Sequence, residues 1–337
     1  MLRGRGIWLG GTVLLTLGSY AVTIALAPSA LGGLLFLGTS VHVATTAWFW
    51  SVPDVRAHML ARRGRYVLAP LALVAGTAAL AAAMPPTAFG WLLPAFLAWQ
   101  FFHFQKQNLG LAALSATAYG AGRLGSGERR AVTAAGVAGI AALLSRPELL
   151  QLTLDLRLRF LFPVAAVAYA VAVAAGCVLL LRRSARPGAA FAALYLLSLL
   201  YFLPVFVFTS PYAAVAGLTA AHGYQYLLIM ALVAGGERPG LPRLVSLALL
   251  LNIGLLLGTA LNLASHLHGS APAGRALYGA YLGAVMAHFV VDAGLWRLRD
   301  EFPRRFLTRR LPYLLGGTGG PGPSAPAAAA DRVGPRG

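Results

Sequence analysis

The sequence predicts an all-α polytopic membrane protein: a transmembrane helical bundle of about ten spans with both termini in the cytoplasm. Hydrophobic residues make up 58% of the 337 residues, charged residues only 11%, and the mean hydropathy is +0.73. A soluble globular chain carries about 25% charged residues. Charge this sparse excludes a water-soluble enzyme, a disordered chain and an ordinary DNA-binding domain.

The span count follows from the lengths of the apolar segments, because about 20 apolar residues cross a bilayer as a helix. Two segments leave the count between nine and ten: 88–118 is long and contains Lys106, and 131–145 is short. The predicted spans are 7–27, 31–51, 66–84, 88–118, 131–145, 160–181, 189–209, 212–234, 244–265 and 276–296.

The net charge of +18 comes from arginines that lie between the apolar segments, as membrane-flanking charges do. With the N-terminus in the cytoplasm, all but four arginines fall on the cytoplasmic side, which is the bias that sets orientation. The exceptions are Arg146, Arg157, Arg159 and Arg275. This pattern predicts an integral membrane protein with anionic lipids rather than nucleic acid as its charged partners, and the richness in alanine and arginine suggests a bacterial inner membrane.

Three further features concern the ends and the loops. A basic N-terminus precedes an apolar run ending Ala-Leu-Ala, so a cleaved signal peptide is an alternative to the first span. Segment 146–159 mixes leucines with charges and predicts an interfacial helix. A single transmembrane domain is predicted over 1–315. Residues 316–337, rich in Gly, Pro and Ala, predict a disordered cytoplasmic tail.

Four histidines lie near the middle of predicted spans two, four, eight and ten. Ionisable groups at membrane depth are costly, and they usually face the bundle interior for a functional reason. Even-numbered spans run in the same direction, so the four imidazoles are expected at nearly one depth. These histidines are His42, His103, His222 and His288.

Each central histidine has polar neighbours at helical spacing. Asp292 is the only acid placed within a span, and Lys106 is the only lysine of the chain. The neighbours are Thr45 and Thr46 after His42, Gln100, Lys106 and Gln107 around His103, Gln225 and Tyr226 after His222, and Asp292 after His288.

Imidazole and carboxylate are ligands for iron, zinc and copper. We therefore expect the four histidines to converge on one metal ion near the bilayer midplane. Asp292 is either a ligand or a residue that orients one. Lys106 and Tyr226 are the other candidate catalytic residues; Lys106 is a partner of Asp292, a proton carrier or a substrate contact. Gln107 and Gln225 are candidates for contact with the cofactor or substrate.

The order of these histidines resembles that of the Brp/Blh-type carotene dioxygenases. In that family, membrane proteins that cleave β-carotene to retinal, iron-binding histidines are spread over several spans. The parallel passages are the neighbourhood of His42, the pair His103-Phe104, His222, and His288-Phe-Val-Val-Asp292. The resemblance implies an Fe(II) cofactor and an apolar substrate.

The sequence departs from the family at three of these passages. The family's Pro-His-Gly reads Val41-His42-Val43 here, and its His-Phe-Gly reads His103-Phe104-Gln105. The second histidine of its His-x-x-x-His pair is replaced by Tyr226. If the family's iron is bound, Asp292 or water must supply the missing ligand.

The main hypothesis is a membrane-embedded, metal-dependent oxygenase or oxidase with non-haem iron. Its substrate would be apolar and lipid-like, such as a carotenoid, an isoprenoid or an acyl chain. Two alternatives remain open: a haem-binding redox protein with histidine axial ligands, or a proton-coupled transporter that uses the His/Lys/Asp cluster. A structural polar core without metal is the remaining interpretation.

Overall fold

The computed structural model describes residues 2–183, 188–236, 242–269 and 271–316, and no strand occurs among them. The α-helices are α1 (Leu2–Ala25), α2 (Gly32–Phe36), α3 (His42–Thr45), α4 (Pro53–Ala61), α5 (Ala69–Ala83), α6 (Pro86–Gly90), α7 (Leu93–Ala118), α8 (Ser126–Ser145), α9 (Leu161–Leu181), α10 (Ala189–Leu199), α11 (Leu203–Val207), α12 (Gly217–Ala234), α13 (Arg243–Ser265), α14 (Pro272–Leu295), α15 (Glu301–Arg310) and α16 (Pro312–Leu315).

Several of these helices are extended by turns of different pitch. The π-helical turns are Leu37–Val41, Gly64–Leu68 and Tyr212–Ala216. The 3₁₀ turns are Pro28–Ala30, Thr46–Ser51 and Pro147–Leu150. As a result, residues 32–51 form one continuous helical segment that changes pitch on both sides of His42.

Within the described residues, six helices are long and apolar enough to cross a membrane, as expected of an integral membrane protein. They are Arg3–Ala25, Gly64–Ala83, Leu161–Leu181, Tyr212–Ala234, Arg243–Ser265 and Pro272–Leu295. The other predicted spans are also largely helical. Helix α7, however, carries a run of polar residues at its centre, and segment 189–209 divides into α10 and α11.

The predicted interfacial helix over 146–159 is wrong. Only the 3₁₀ turn Pro147–Leu150 forms there. Gln151 and Arg157 adopt left-handed backbone angles, with φ of 55° and 52°, and such residues do not continue a helix. The predicted tail, 316–337, lies outside the described residues apart from Gly316.

Hydrogen bonds bring both ends of the described chain to one end of the bundle. Arg5 Nε donates to the carbonyl of Tyr313 at 2.6 Å, and the Tyr119 hydroxyl donates to the carbonyl of Arg5 at 3.0 Å. Arg310 Nη1 donates to the carbonyl of Val233 at 3.2 Å. The start of α1, the ends of α7 and α12, and helix α16 therefore lie together.

Helices α7 and α12 lie between two clusters of buried apolar side chains. One cluster packs these helices against α8, α9 and α10 and includes Phe101 and Tyr195. The other packs them against α1, the turn Thr46–Ser51 and α15, and includes Trp8 and Trp48. Because α7 and α12 are central, most of their polar side chains face protein, as Gln105, Asn108 and Gln225 do.

Two close backbone approaches position the helices that carry the central histidines. A Cβ on Gly279 of α14 would lie 2.2 Å from the carbonyl oxygen of Thr77 on α5, and Thr77 Oγ1 donates to the Gly279 carbonyl at 2.7 Å. A Cβ on Gly223 of α12 would lie 2.0 Å from the carbonyl oxygen of Gly38. Glycine permits such approaches between membrane helices. The second approach brings the π turn before His42 against the turn that carries His222.

An ion pair ties the start of α8 to the end of α9. Arg183 Nε lies 2.6 Å from Glu128 Oε1, and Arg183 Nη2 lies 2.8 Å from Oε2. The Gly125 N–H also donates to Oε2, at 2.7 Å. Burial alone raises the pKa of Glu128, but the hydrogen bonds from Arg183 and Gly125 outweigh it and hold this pKa below its ordinary value.

Replacing Arg183 by glutamine is expected to lower the free energy of unfolding by about 3 kcal/mol, because it leaves a buried carboxylate without its counter-charge. The depressed pKa sets the pH dependence. The pair stabilises the protein fully above the unfolded pKa of glutamate, about 4.3, and this contribution is lost as the pH falls through the lower folded pKa. Unfolding in detergent at several pH values measures both effects.

The matched control is Arg182→Gln, which removes the exposed neighbouring arginine and should change stability little. Equal losses for the two variants would contradict the structural role of the pair. So would a difference between wild type and Arg183→Gln that persists undiminished below the folded pKa of Glu128.

Candidate metal centre

The structure brings the four central histidines together from four helical elements. The ring centroid of His42 lies 5.1 Å from the ring centroid of His222 and 5.2 Å from that of His288. His103 lies 5.0 Å from His222 and 5.1 Å from His288. Helices α3, α7, α12 and α14 thus each contribute one imidazole to a closed ring of four.

Within the described part of the chain, most imidazole nitrogens at the centre have no hydrogen-bond partner. Both ring nitrogens of His222, and Nε2 of His103 and His288, are buried and unpaired, whereas the His42 ring is buried against the backbone of Gly38 and Thr39. His222 is completely inaccessible to solvent. Buried polar atoms are normally paired, so unpaired nitrogens gathered at one point require an explanation. A cation bound by one lone pair from each ring would account for one nitrogen of each imidazole.

Two groups of side chains have ligand atoms that all lie within 4.8 Å of one another. One consists of His42, His222 and His288, and the other of His103, His288 and Asp292. His288 belongs to both groups, but its Nδ1 is hydrogen-bonded to Thr46, so only Nε2 can bind a metal. A single nitrogen cannot serve two separate ions here, and we therefore treat the groups as one centre.

Asp292 is held beside this centre by a chain of buried hydrogen bonds. Its Oδ1 accepts from the Tyr226 hydroxyl at 2.9 Å, and its Oδ2 lies 3.7 Å from His288 Nε2. The Tyr226 oxygen is 2.9 Å from Thr46 Oγ1, which is 2.6 Å from His288 Nδ1. The carboxylate therefore has one oxygen engaged and the other directed towards the imidazoles.

Aromatic side chains cover the imidazole faces. Phe104 stacks on His222 with ring centroids 4.0 Å apart, and Phe289 stacks on His103 at 4.3 Å. Both phenylalanines are buried. They fix the ring planes and place apolar surface around the cluster, which excludes water from it.

Gln107 and Gln225 lie next to the centre but do not contact the imidazole rings through hydrogen bonds. Gln107 Nε2 donates to the carbonyl of His222 and to Gln225 Oε1, each at 3.0 Å. Gln225 Nε2 donates to Thr16 Oγ1 at 2.7 Å. These residues, predicted to support the metal ligands or to face the substrate, join α7, α12 and α1 at the turn that carries His222.

The structure does not bring Lys106 to the cluster. Lys106 is exposed on the outer face of α7, and its Nζ lies 5.7 Å from the ring centroid of Phe102. On a helix, Trp99, Phe102 and Lys106 lie on one stripe at i, i+3 and i+7. This stripe is the exposed face of α7, and His103 lies at its border, with its ring turned inward to His222 and His288.

One edge of the centre lies near the outside of the bundle. Three of the clustered histidines are buried, whereas His103 is half-buried and adjoins the exposed stripe of α7. Trp99, 39% exposed, contacts Phe289 with ring centroids 5.8 Å apart. His103, beside these aromatic rings, is therefore the member of the cluster nearest to the surface of the helical bundle.

Two sets of site residues were not assigned a role from the sequence. Thr46 was noted only as a polar neighbour of His42, although it contacts His288. Phe104, which the sequence predicts to be lipid-facing or pocket-lining, covers His222, and Phe289 directly follows His288 in the chain, which is the only sequence signal that it lies near the imidazoles.

No family model, no curated protein and no solved structure matches the chain. The fold and the site therefore define its class by themselves. Its described residues form helices without strands, with six candidate membrane spans and a buried cluster of histidines that could bind a metal ion.

Proposed function

We propose that this protein is a membrane-embedded oxygenase or oxidase with one non-haem iron(II) ion. The ion would be held by His42, His103, His222 and His288, with Asp292 as a further ligand or as a hydrogen-bond acceptor beside it. The observation that carries the proposal is the convergence of buried, unpaired imidazole nitrogens on one point. Nitrogen ligands with one carboxylate suit iron.

Iron supplies oxidative chemistry with O₂ when it is bound, and the protein supplies its position, its dry surroundings and access. Phe104 and Phe289 exclude water from the imidazoles. The aromatic edge beside His103 favours a substrate that arrives from the lipid phase, such as a carotenoid, an isoprenoid or an acyl chain. Thr46, 2.6 Å from His288 Nδ1, and Asp292, 3.7 Å from its Nε2, are polar groups beside the imidazoles, and Tyr226 is hydrogen-bonded to both.

The resemblance to the Brp/Blh-type carotene dioxygenases supports the same cofactor and substrate class. Tyr226 stands where that family has a histidine, and here its hydroxyl is engaged with Thr46 and Asp292. Asp292 replaces the missing histidine in the ligand group with His103 and His288. The proposed ligand set is therefore four histidines and a carboxylate.

The geometry favours a single ion over haem. Two histidines on opposite sides of a haem iron would need an open plane between them for the porphyrin. The remaining two imidazoles lie about 5 Å from each member of such a pair and fill that plane. A transporter is also less well supported, because Lys106 lies outside the cluster that a proton relay would use.

We also propose the predicted topology of ten spans with both ends in the cytoplasm of a bacterial inner membrane. The contacts of Arg5 with Tyr313 and Tyr119 support a common side for the two ends, and arginine enrichment there favours the cytoplasm. Reporter fusions after residue 5 and residue 316 should both be cytoplasmic. Periplasmic activity of either fusion would contradict this topology.

Metal analysis and an absorption spectrum of the detergent-purified protein test the proposed cofactor together. We expect about one iron per chain and no Soret band. Removing the iron with a chelator should abolish oxidation of an added carotenoid, and restoring Fe(II) should recover it. A Soret band would establish the haem alternative. Full turnover by iron-free protein would contradict the proposal.

A further inference from the structure

A polar cleft lies apart from the metal centre, at the end of the bundle where α15 and α16 pack. One wall is formed by α4 and the π turn Gly64–Leu68, and the other by α15; the cavity between them measures about 170 Å³. The metal centre uses none of the side chains in these walls. Those that concern its chemistry are His58, Arg62, Arg65, Tyr66, Phe302 and Arg305.

An aromatic stack joins the two walls and holds the first arginine in place. The ring of His58 on α4 stacks on Phe302 of α15, with centroids 4.0 Å apart and planes inclined by 13°. Arg62 Nη1 lies 2.8 Å from His58 Nδ1, and a guanidinium group can only donate, so His58 accepts. The guanidinium of Arg62 is therefore fixed at the cleft by a side chain that carries no negative charge.

The arginines of the cleft are poorly neutralised by the protein. No carboxylate of the described residues lies within 4 Å of Arg62 or Arg65. Arg305 Nη1 is 3.6 Å from Glu301 Oε1, but both side chains are exposed. An exposed ion pair of this kind contributes little free energy, so a stronger anion can displace the glutamate.

The remaining acid of the cleft is already balanced by arginines outside its walls. Asp300 Oδ2 lies 3.7 Å from Arg297 Nη1, and Asp300 Oδ1 lies 4.0 Å from Arg299 Nε. With these pairs included, the described residues place five arginines against two carboxylates around the cavity. The surplus positive charge favours an anionic occupant.

We propose that this cleft binds a phosphate group, held between Arg62 and Arg65 on one wall and Arg305 on the other. The planar fork of arginine matches the oxygens of phosphate and bonds them in pairs. The headgroup of an anionic lipid and a soluble phosphate ester carry the same group, and both are sources of it. The proposal goes beyond the proposed function and does not depend on the metal centre.

An occupant of the cleft would connect two segments that lead away from the histidines. Helix α4 follows the segment 32–51, which carries His42, and α15 follows α14, which carries His288. A ligand that bridges α4 and α15 binds the folded protein only, so it raises stability in proportion to the logarithm of its concentration. The rise in unfolding temperature with ligand concentration therefore measures its affinity.

The test uses the full chain in detergent with two phosphate probes, phosphatidic acid in mixed micelles and inorganic phosphate in solution. Phosphatidylcholine, whose phosphate is neutralised by its own choline, is the comparison lipid. We expect wild type to be stabilised by phosphatidic acid, by inorganic phosphate, or by both, and not by phosphatidylcholine. Phosphatidic acid alone would identify a lipid headgroup, inorganic phosphate alone a soluble ester, and both the phosphate group itself.

The chain supplies matched controls on both walls. Arg62→Gln, Arg65→Gln and Arg305→Gln should each weaken binding about 10–100-fold, as expected when a hydrogen bond to a charged group is lost. Arg63→Gln and Arg304→Gln remove exposed neighbours that do not line the cavity, and they should bind like wild type. No stabilisation by either probe, or equal weakening in all five variants, would overturn the proposal, because equal weakening means diffuse attraction to a basic surface.

Glu301→Gln supplies an outcome that misfolding cannot produce. This change releases Arg305 from its carboxylate and removes a negative charge from the cleft. Binding of the phosphate probe should become about 2–5-fold tighter, in line with the small worth of an exposed ion pair. Unchanged or weaker binding by a folded Glu301→Gln protein would contradict the assignment of Arg305 to the site.

Discussion

Replacing His222 by alanine is expected to weaken iron binding by more than about 100-fold, beyond the 10–100-fold loss that follows removal of an outer partner. His222 is completely buried, both of its ring nitrogens are unpaired, and it contacts His42 and His103 within the cluster. Its removal takes a ligand from the centre of the site. Iron content after purification in detergent measures the effect.

His266→Ala is the matched control for this experiment. His266 lies exposed at the end of α13, and its Nδ1 is 2.7 Å from the carbonyl of Asn262. This variant should retain the wild-type iron content. Circular dichroism and gel filtration confirm that both variants are folded. A His222→Ala protein that is folded and carries a full complement of iron would contradict the assignment of His222 as a ligand.

Replacing Gly223 by alanine is expected to lower the free energy of unfolding by about 3 kcal/mol, the upper end of the usual cost of overpacking. The added Cβ would lie 2.0 Å from the carbonyl oxygen of Gly38, which is backbone and cannot turn aside. Helix α12 must therefore move away from the π turn before His42. Because this separates His42 from His222, metal affinity should fall together with stability.

Gly110→Ala is the control for the glycine experiment. Gly110 lies on the exposed stripe of α7, and a Cβ there would meet nothing within 4 Å. Alanine is the better helix former by about 1 kcal/mol, so this variant should be neutral or slightly more stable. Denaturant unfolding and Zn²⁺ titration of the two variants test the prediction. Equal behaviour of the two proteins would mean that the close approach at Gly223 does not position the site.

The convergence of the four histidines could be predicted from the sequence for a simple physical reason. Polar side chains in apolar segments must turn away from lipid, and His42, His103, His222 and His288 were predicted at one depth in separate spans. The structure places them in contact. Asp292 followed from its spacing of four residues after His288, which puts both side chains on one face of α14.

The hydrogen-bond chain could not be predicted in the same way. Whether Thr45 or Thr46 reaches another helix depends on the 3₁₀ turn after α3, and no local pattern signals that change of pitch. The roles of Gln107 and Gln225 likewise depend on which helices pack together. Their hydrogen bonds to each other and to His222 appear only once α7 lies against α12.

Lys106 shows a limit of reasoning from neighbours in sequence. It follows His103 by one turn, and this suggested a shared site. In the structure, however, Lys106 lies on the same exposed stripe of α7 as Trp99 and Phe102. The span count could not be fixed from the sequence either. In the described residues six apolar helices have membrane-spanning length, against ten predicted segments. The difference arises partly because α7 has polar residues at its centre and because segment 189–209 divides into α10 and α11.

X-ray absorption at the iron edge of the purified protein tests the central claim most directly. The account predicts a single iron ion whose nearest neighbours are nitrogen and oxygen, with the outer scattering typical of several imidazole rings. This scattering should diminish in any protein that retains iron after His103→Ala. A metal-free wild-type protein, or bound iron without imidazole scattering, would contradict the claim that these four histidines form a metal centre.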